Sequence, residues 1–182
     1  MSRKLLKSTA VVGGMTMISR LLGFMRDVVF ANIFGAGAAT DAFFVAFKIP
    51  NFLRRLFAEG AFSQAFVPIL SEYRAQRDLA AVSLLVANTT GVLGAILLLI
   101  TILAILGSDY LIMLFAPGFI DDQPKFALAS EMLQLTFPYL FFISLTALAG
   151  GILNSYDKFA VPAITPVWLN LILIAAAMGF TS

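Results

Sequence analysis

Eight ionisable side chains lie within residues 19–70, in sequence that is otherwise apolar enough for a lipid bilayer. They are Arg20, Arg26, Asp27, Asp41, Lys48, Arg54, Arg55 and Glu59. A charged side chain at the centre of a membrane helix costs about 2.5 to 3.5 kcal/mol on insertion scales. Residues of this kind face a bundle interior or a water-filled cavity. We therefore expect these eight to line a wet cavity walled by protein.

The charges of this stretch favour an anionic ligand. Five cations stand against three acids, which leaves a local excess of positive charge. Arginine presents a planar fork of N–H donors that matches phosphate oxygens, so a diphosphate head group fits this chemistry. Arg55 and Glu59 are four residues apart and can pair, whereas Arg54 points about 100° away and is left for something anionic. The acids would hold the arginines when the site is empty, and their rearrangement on binding would act as a gate.

The first of the helices that must position these charges is predicted over residues 9–34, with one polar face. At 100° per residue, one arc of about 80° holds a stripe of polar and small residues. The stripe contains Thr9, Gly13, Thr16, Arg20, Gly23 and Asp27. Ser19 and Arg26 lie at its edge. A simpler interpretation stays open, in which Arg20 and Asp27 only pair with each other or with a neighbouring helix to hold the bundle together.

The composition indicates an all-α polytopic membrane protein. Hydrophobic residues make up 60% of the 182 and charged residues only 12%, against about 45 to 50% and 25% in soluble domains. With about 20 apolar residues needed for each crossing, there is room for roughly five spans. The predicted spans cover residues 9–34, 41–70, 79–106, 128–153 and 159–180. Pro50 and Pro68 predict a kinked or broken second helix, and Pro138 predicts a kink in the fourth.

Several classes of function are excluded by residue types that the sequence lacks. It contains no cysteine and no histidine, which removes disulfides, thiolate chemistry and imidazole-ligated metals. No Walker-type phosphate loop occurs, and GAGA at residues 35–38 lacks the strand and third glycine of a dinucleotide site. The formal net charge of +2 is too small to suggest nucleic acid. We expect no enzyme activity, no cofactor and no metal.

Loop charges predict the orientation in the membrane. Arg3, Lys4, Lys7, Arg74, Arg77 and Lys158 fall on one side of the predicted spans, and only Lys125 falls on the other. The positive-inside rule then places the amino terminus in the cytoplasm. The short apolar stretch 110–115 is expected to lie at the opposite interface, because it is too short to cross.

Six motifs along the chain are SRLLGFMRD, FGAGAATDAFFVAFKIPNFLRRLFAEGAFSQAFVPILSEY, APGF, FPY, GILNSYDKFAVPA and PVWLN. Together they closely resemble the amino-terminal part of the MviN/MurJ family, the lipid II flippases of bacterial peptidoglycan synthesis. Of these motifs, RRLFAEGAFSQAFVP is the most specific, since hydrophobic periodicity alone would not produce it. The resemblance extends over essentially the whole chain.

This resemblance implies the fold of the multidrug/oligosaccharidyl-lipid/polysaccharide exporters, with two lobes and fourteen helices around a cationic cavity. Such proteins lie in the bacterial cytoplasmic (inner) membrane. They move undecaprenyl-diphosphate-linked disaccharide-pentapeptide from the cytoplasmic to the periplasmic leaflet by alternating access, without ATP. By motif, the family's diphosphate-binding arginines correspond to Arg20, Arg26 and Arg54. Asp27 corresponds to a gate or arginine partner and Asp41 to a structural or gating residue near the outer side, while Lys48, Arg55 and Glu59 are further gating residues or charge partners.

The chain departs from the family pattern in its length. Five spans are about a third of a full member, so we expect an amino-terminal lobe fragment that lacks the carboxy-terminal lobe and does not flip lipid alone. Its expected partners are lipid II, membrane lipids and that missing lobe. Two alternatives remain: a related exporter of another lipid-linked saccharide or of drugs, and a non-transporting membrane scaffold whose charges pair only between helices.

Overall fold

The computed structural model describes residues 3–35, 37–55 and 61–179, and these ranges form helices joined by short turns, with no β-strand among them. Eight α-helices are described. They are α1 (Arg3–Phe34), α2 (Ala38–Arg54), α3 (Ala61–Gln76), α4 (Leu79–Leu106), α5 (Ser108–Phe115), α6 (Gln123–Thr136), α7 (Pro138–Ser155) and α8 (Ala160–Gly179). One turn of 3-10 helix, Pro117–Phe119, follows α5. The all-helical fold class expected from the composition is confirmed for these residues.

Three stretches of the described chain are long and apolar enough to cross a membrane. They are Leu79–Leu106, Gln123–Ser155 and Ala160–Gly179. The helix α4 shows why lipid suits them: it is apolar on every side, yet Leu84, Leu98 and Leu103 are more than half exposed. Lipid tails solvate such side chains as well as a protein core does. The coarser prediction of a membrane protein is therefore supported, whereas the structure identifies three candidate spans where the sequence predicted five.

Local signals in the sequence explain where several helices begin and end. The Asp78 carboxylate accepts a hydrogen bond from the backbone N–H of Ala81 at 3.0 Å and so caps α4. Asp122 caps α6 in the same way through the N–H of Lys125, at 3.2 Å. The helix α1 ends at Gly35, whose φ of +61° lies in the left-handed region that glycine adopts without strain.

Prolines interrupt the helices differently from place to place. At Pro138, where a kink was predicted, the helix is interrupted for one residue: α6 ends at Thr136, α7 begins at Pro138, and Phe137 between them keeps helical dihedral angles. Proline has no N–H to continue the ladder and its ring displaces the preceding turn. Where one kinked helix was predicted over residues 41–70, the structure describes α2 with Pro50 inside it and α3 with Pro68 inside it.

The described chain divides into two compact units. The first consists of residues 1–36 and 153–182 and is built on the packing of α1 against α8. The second consists of residues 37–152, in which α2 packs against α6. Its core contains Ala42, Ala46 and Ile49 from α2, and Ala129, Leu133 and Phe137 from α6 and its end. The two alanines are fully buried, so small side chains let these helices approach closely.

Candidate functional site

The guanidinium of Arg26 is held at two points in the unit formed by α1 and α8. Its Nε and one terminal nitrogen donate to the same oxygen of Asp27, at 3.0 and 2.7 Å. The other terminal nitrogen donates to Oδ1 of Asn170 on α8, at 3.1 Å. The Arg26 side chain is only 25% exposed, whereas that of Asp27 is 63% exposed. The arginine therefore lies against α8, with its carboxylate partner on the open side.

Sequence reasoning did not assign Asn170 to the site. In the structure Asn170 is 7% exposed, and its Nδ2 donates to the backbone carbonyl of Ser19 at 3.0 Å. A lone buried amide in a membrane helix was the available signal, because such a group needs hydrogen-bond partners.

The polar stripe predicted for the first helix has two kinds of surroundings in the structure, shown by Gly23 and Arg20. Gly23 lies against α8, since a Cβ placed there would be 3.7 Å from Nδ2 of Asn170. Arg20 is exposed and makes no hydrogen bond or ion pair within the described ranges. The simpler interpretation of the stripe paired Asp27 with Arg20. In the structure Asp27 bonds Arg26 instead. The charge of Arg20 is thus available to an outside group.

The remaining predicted cations lie in the second unit. Lys48 and Arg55 are exposed. Arg54 is half-buried, and its Nε donates to Oδ1 of Asn51 at 3.0 Å. The acceptor is the amide three residues earlier on the same helix face, and only the N–H on Nε is used in this bond. The expectation that Arg54 binds something anionic therefore stays a prediction. Glu59, the predicted partner of Arg55, lies outside the described residues.

Asp41 forms an ion pair that the sequence did not suggest. Its Oδ2 lies 2.7 Å from Nζ of Lys125, so the first turn of α2 is joined to the first turn of α6. The same Nζ stands 4.3 Å from the ring centre of Phe119, within cation–π range. Lys125 is 18% exposed and Asp41 60%. The contact fixes the amino-terminal ends of α2 and α6 beside each other within the second unit.

We expect Lys125→Ala to lower the free energy of unfolding by no more than about 1 kcal/mol, because solvent screens the exposed carboxylate. Added salt should reduce the difference from wild type. The measurement is thermal unfolding of the purified protein at low and high ionic strength. Lys158→Ala, which removes an exposed lysine from a turn, is the matched control. An equal loss in both variants would contradict a specific pairing with Asp41.

A second polar cluster joins α5 to α6. Ser130 donates to Asp109, the hydroxyls of Ser108 and Ser130 share a hydrogen bond of 2.8 Å, and Nε2 of Gln134 donates to Oγ of Ser108 at 2.9 Å. Ser108 and Ser130 are buried. Their hydrogen bonds satisfy one another, so this cluster serves the packing of α5 on α6. Within the described ranges, no group of three or more acidic side chains is placed to hold a metal ion.

Taken together, the first unit offers a chemistry suited to an anion. Arg20 supplies an exposed positive charge, and Arg26 supplies an oriented guanidinium beside Asp27. In a low-dielectric setting such groups attract phosphate oxygens more strongly than they would on a wet surface.

Comparisons with known proteins point to one family. A family model described as "Lipid II flippase MurJ" matches residues 30–181. A probable lipid II flippase MurJ of Vibrio cholerae is 52% identical over 97% of this chain and 35% of its own length. The lipid II flippase MurJ of Burkholderia cenocepacia is 47% identical over 96% of this chain and 34% of its own length.

A solved structure resembles the chain in three dimensions as well. It is described as "Lipid II flippase MurJ, inward closed conformation", and it matches with a TM-score of 0.80 and 35% sequence identity. The match covers 95% of this chain and 36% of the other. The chain thus spans about a third of the length of the relatives that it matches.

Proposed function

Because the chain belongs to the lipid II flippase MurJ family, we propose that it forms the amino-terminal part of a transporter that moves lipid II across the bacterial inner membrane. The cargo would be undecaprenyl-diphosphate-linked disaccharide-pentapeptide, carried from the cytoplasmic to the periplasmic leaflet by alternating access. The observation that carries this proposal is the pair of arginines on α1, one exposed and one oriented, in a relative of proteins named as lipid II flippases.

The diphosphate of the cargo is the group that these arginines would bind. Arg20 and Arg26 would contact its oxygens, and Arg54 would join them by the family motif. Two negatively charged phosphates match a surplus of guanidinium groups, and bidentate contacts add geometric selectivity. A drug exporter for cations would instead present acids to its substrate, and this disfavours the drug-exporter alternative.

The membrane arrangement of five spans, with the amino terminus in the cytoplasm, forms part of the same proposal. Three candidate spans support it, and α1 with the pair α2 and α3 would supply the other two. The helices α2 and α3 have 17 and 16 residues, so neither alone has the length of an ordinary span. The ion pair between Asp41 and Lys125 suits the proposed periplasmic side, because both predicted positions fall there.

We propose that the transport activity requires a second lobe in addition to these 182 residues. Relatives are about three times as long, and a cavity for a lipid-linked cargo needs walls on both sides. Undecaprenyl chains and further cations would be accommodated by that lobe. The 182 residues alone are therefore expected to be inactive.

A chimera tests this proposal directly. The part of the Vibrio cholerae relative that matches the chain is replaced by these 182 residues, and the chimera is expressed in a bacterium depleted of its own lipid II flippase. We expect growth without accumulation of lipid II. The unmodified relative is the positive control, and the 182 residues alone should not restore growth.

Two outcomes would contradict the proposal. The first is a chimera that does not restore growth although its amount in the membrane equals that at which the unmodified relative does. This result would show that the chain lacks the transport function. Growth restored by the 182 residues alone would show that no second lobe is needed.

A further inference from the structure

Asn170 is a buried amide with two partners on a neighbouring helix. In the described part of the first unit it is the only polar side chain that is almost fully buried. It accepts from Arg26 and donates to the backbone of Ser19, and both partners lie on α1. Ser19 and Arg26 are separated by two helical turns, so one side chain of α8 bridges that length of α1.

The chemistry of the two partners fixes which way the amide points. A guanidinium only donates hydrogen bonds, and a backbone carbonyl only accepts them. Oδ1 must therefore face Arg26, and Nδ2 must face Ser19. Exchanging the two atoms would set donor against donor and acceptor against acceptor. The orientation of Asn170 is thus determined by α1 and not by α8.

Gly23 allows the amide to approach α1. It lies four residues after Ser19 and three before Arg26, on the face of α1 that α8 covers. A Cβ at this position would stand 3.7 Å from Nδ2 and 4.0 Å from Oδ1 of Asn170. The amide therefore lies flat over Gly23, with its two ends reaching the partners on either side.

The contacts with Asp27 and Asn170 use only some of the N–H donors of Arg26. A guanidinium has five N–H groups. Asp27 takes the one on Nε and one on the first terminal nitrogen, and Asn170 takes one on the second. One N–H on each terminal nitrogen has no partner in the described ranges. Both lie in the plane of the guanidinium, a planar fork of donors whose N–H groups bind phosphate oxygens.

Asp27 alone would leave this fork free to swing. Both of its contacts use a single carboxylate oxygen, and the side chain is largely exposed. Neighbouring residues on a helix also diverge by about 100°, so the pair is not braced by the helix. A second contact, from a buried group on another helix, fixes the plane of the guanidinium.

We propose that Asn170 is a positioning residue for diphosphate binding, holding Arg26 so that its two free N–H groups face the ligand. The inference rests on the proposed function, in which Arg26 contacts the diphosphate of the cargo. Asn170 itself does not touch the ligand. It acts through Arg26, so its contribution to binding must vanish when Arg26 is removed.

A double-mutant cycle in the purified chimera tests this dependence. The four proteins are wild type, Asn170→Ala, Arg26→Ala and the double variant. The dissociation constant for undecaprenyl diphosphate is measured by native mass spectrometry, and the thermal midpoint is measured in parallel. We expect Asn170→Ala to weaken binding about tenfold when Arg26 is present, the effect of one charge-assisted hydrogen bond. In the Arg26→Ala background it should leave binding unchanged.

Thermal unfolding separates positioning from packing. The bond from Asn170 to Ser19 is lost in both backgrounds, so Asn170→Ala should lower the midpoint in both. Asn32→Ala is the matched control, since among the described residues the amide of Asn32 donates only to Val28 of its own helix, at 3.0 Å. If Asn170→Ala does not fold, Asn170→Ser keeps a polar group but is too short for both partners, and replaces it in the cycle.

Three results would overturn the inference. The first is an equal loss of binding in both backgrounds, which would make Asn170 a packing residue. The second is unchanged binding in Asn170→Ala. The third is wild-type chimera that binds undecaprenyl diphosphate no better than phosphatidylglycerol. Only this third result would also remove the proposed function.

Discussion

Replacing Arg20 with alanine is expected to abolish growth of flippase-depleted cells that depend on the chimera, while the folded protein persists in the membrane at its normal level. Arg20 is exposed and has no hydrogen-bond or ion-pair partner in the described ranges, so its loss removes no internal contact. A charge-assisted hydrogen bond contributes about 1.5 to 3 kcal/mol, which corresponds to at least a tenfold loss of affinity for the diphosphate. The measurements are growth, lipid II accumulation and membrane protein level.

Arg77→Ala is the matched control, because it removes an exposed arginine from the bend between α3 and α4. It should leave growth unchanged. Arg20→Lys should restore growth in part, since it keeps the charge but loses the planar fork. Normal growth with Arg20→Ala would remove Arg20 from the proposed site. Growth lost together with the protein itself would indicate a structural role.

Exchanging the charges of Arg26 and Asp27 tests the alternative that the chain is a non-transporting scaffold whose charges only pair. Arg26 and Asp27 are in contact, so Arg26→Asp combined with Asp27→Arg keeps opposite charges at neighbouring positions. If the charges served only to pair, the swap would preserve function. We expect it to fail, because the arginine at position 27 would lie on the open side of α1 and away from Asn170.

The second large effect is expected for Ala46→Leu, which should destabilise the fold by forcing α2 away from α6. Ala46 is fully buried, and its backbone carbonyl accepts a hydrogen bond from Thr136 of α6 at 3.3 Å. Three added carbons have no space there, and overpacking of this kind typically costs about 1 to 3 kcal/mol. Thermal unfolding of the purified chimera should show a clearly lower midpoint than wild type.

Ala39→Leu is the control for added volume on the same helix. Ala39 is exposed in the first turn of α2, so a larger apolar side chain there meets open space. It should unfold at the wild-type temperature. A normal midpoint for Ala46→Leu would mean that the interface between α2 and α6 is looser than the structure indicates.

Much of the fold could be predicted because local physics decides it. The apolar composition requires helices in a bilayer, since each backbone polar group must be satisfied within its own segment. The helix predicted over residues 79–106 coincides with α4, whose ends are marked by Asp78 and Gly107. Pro138 indicated the interruption between α6 and α7 for a purely covalent reason. The charged residues from which we predict an anionic ligand could also be read from the sequence.

Only the tertiary structure decided which partners these charges take. A helical wheel places Arg20, Arg26 and Asp27 around one axis, but it carries no information about what faces them. Asn170 is 144 residues away from Arg26 in the sequence, and Lys125 is 84 residues away from Asp41. Hydrogen bonds act over about 3 Å, so a pairing exists only where two helices have already packed at a particular register. The sequence by itself determined the charges and their helices, and packing determined which guanidinium is braced and which remains open.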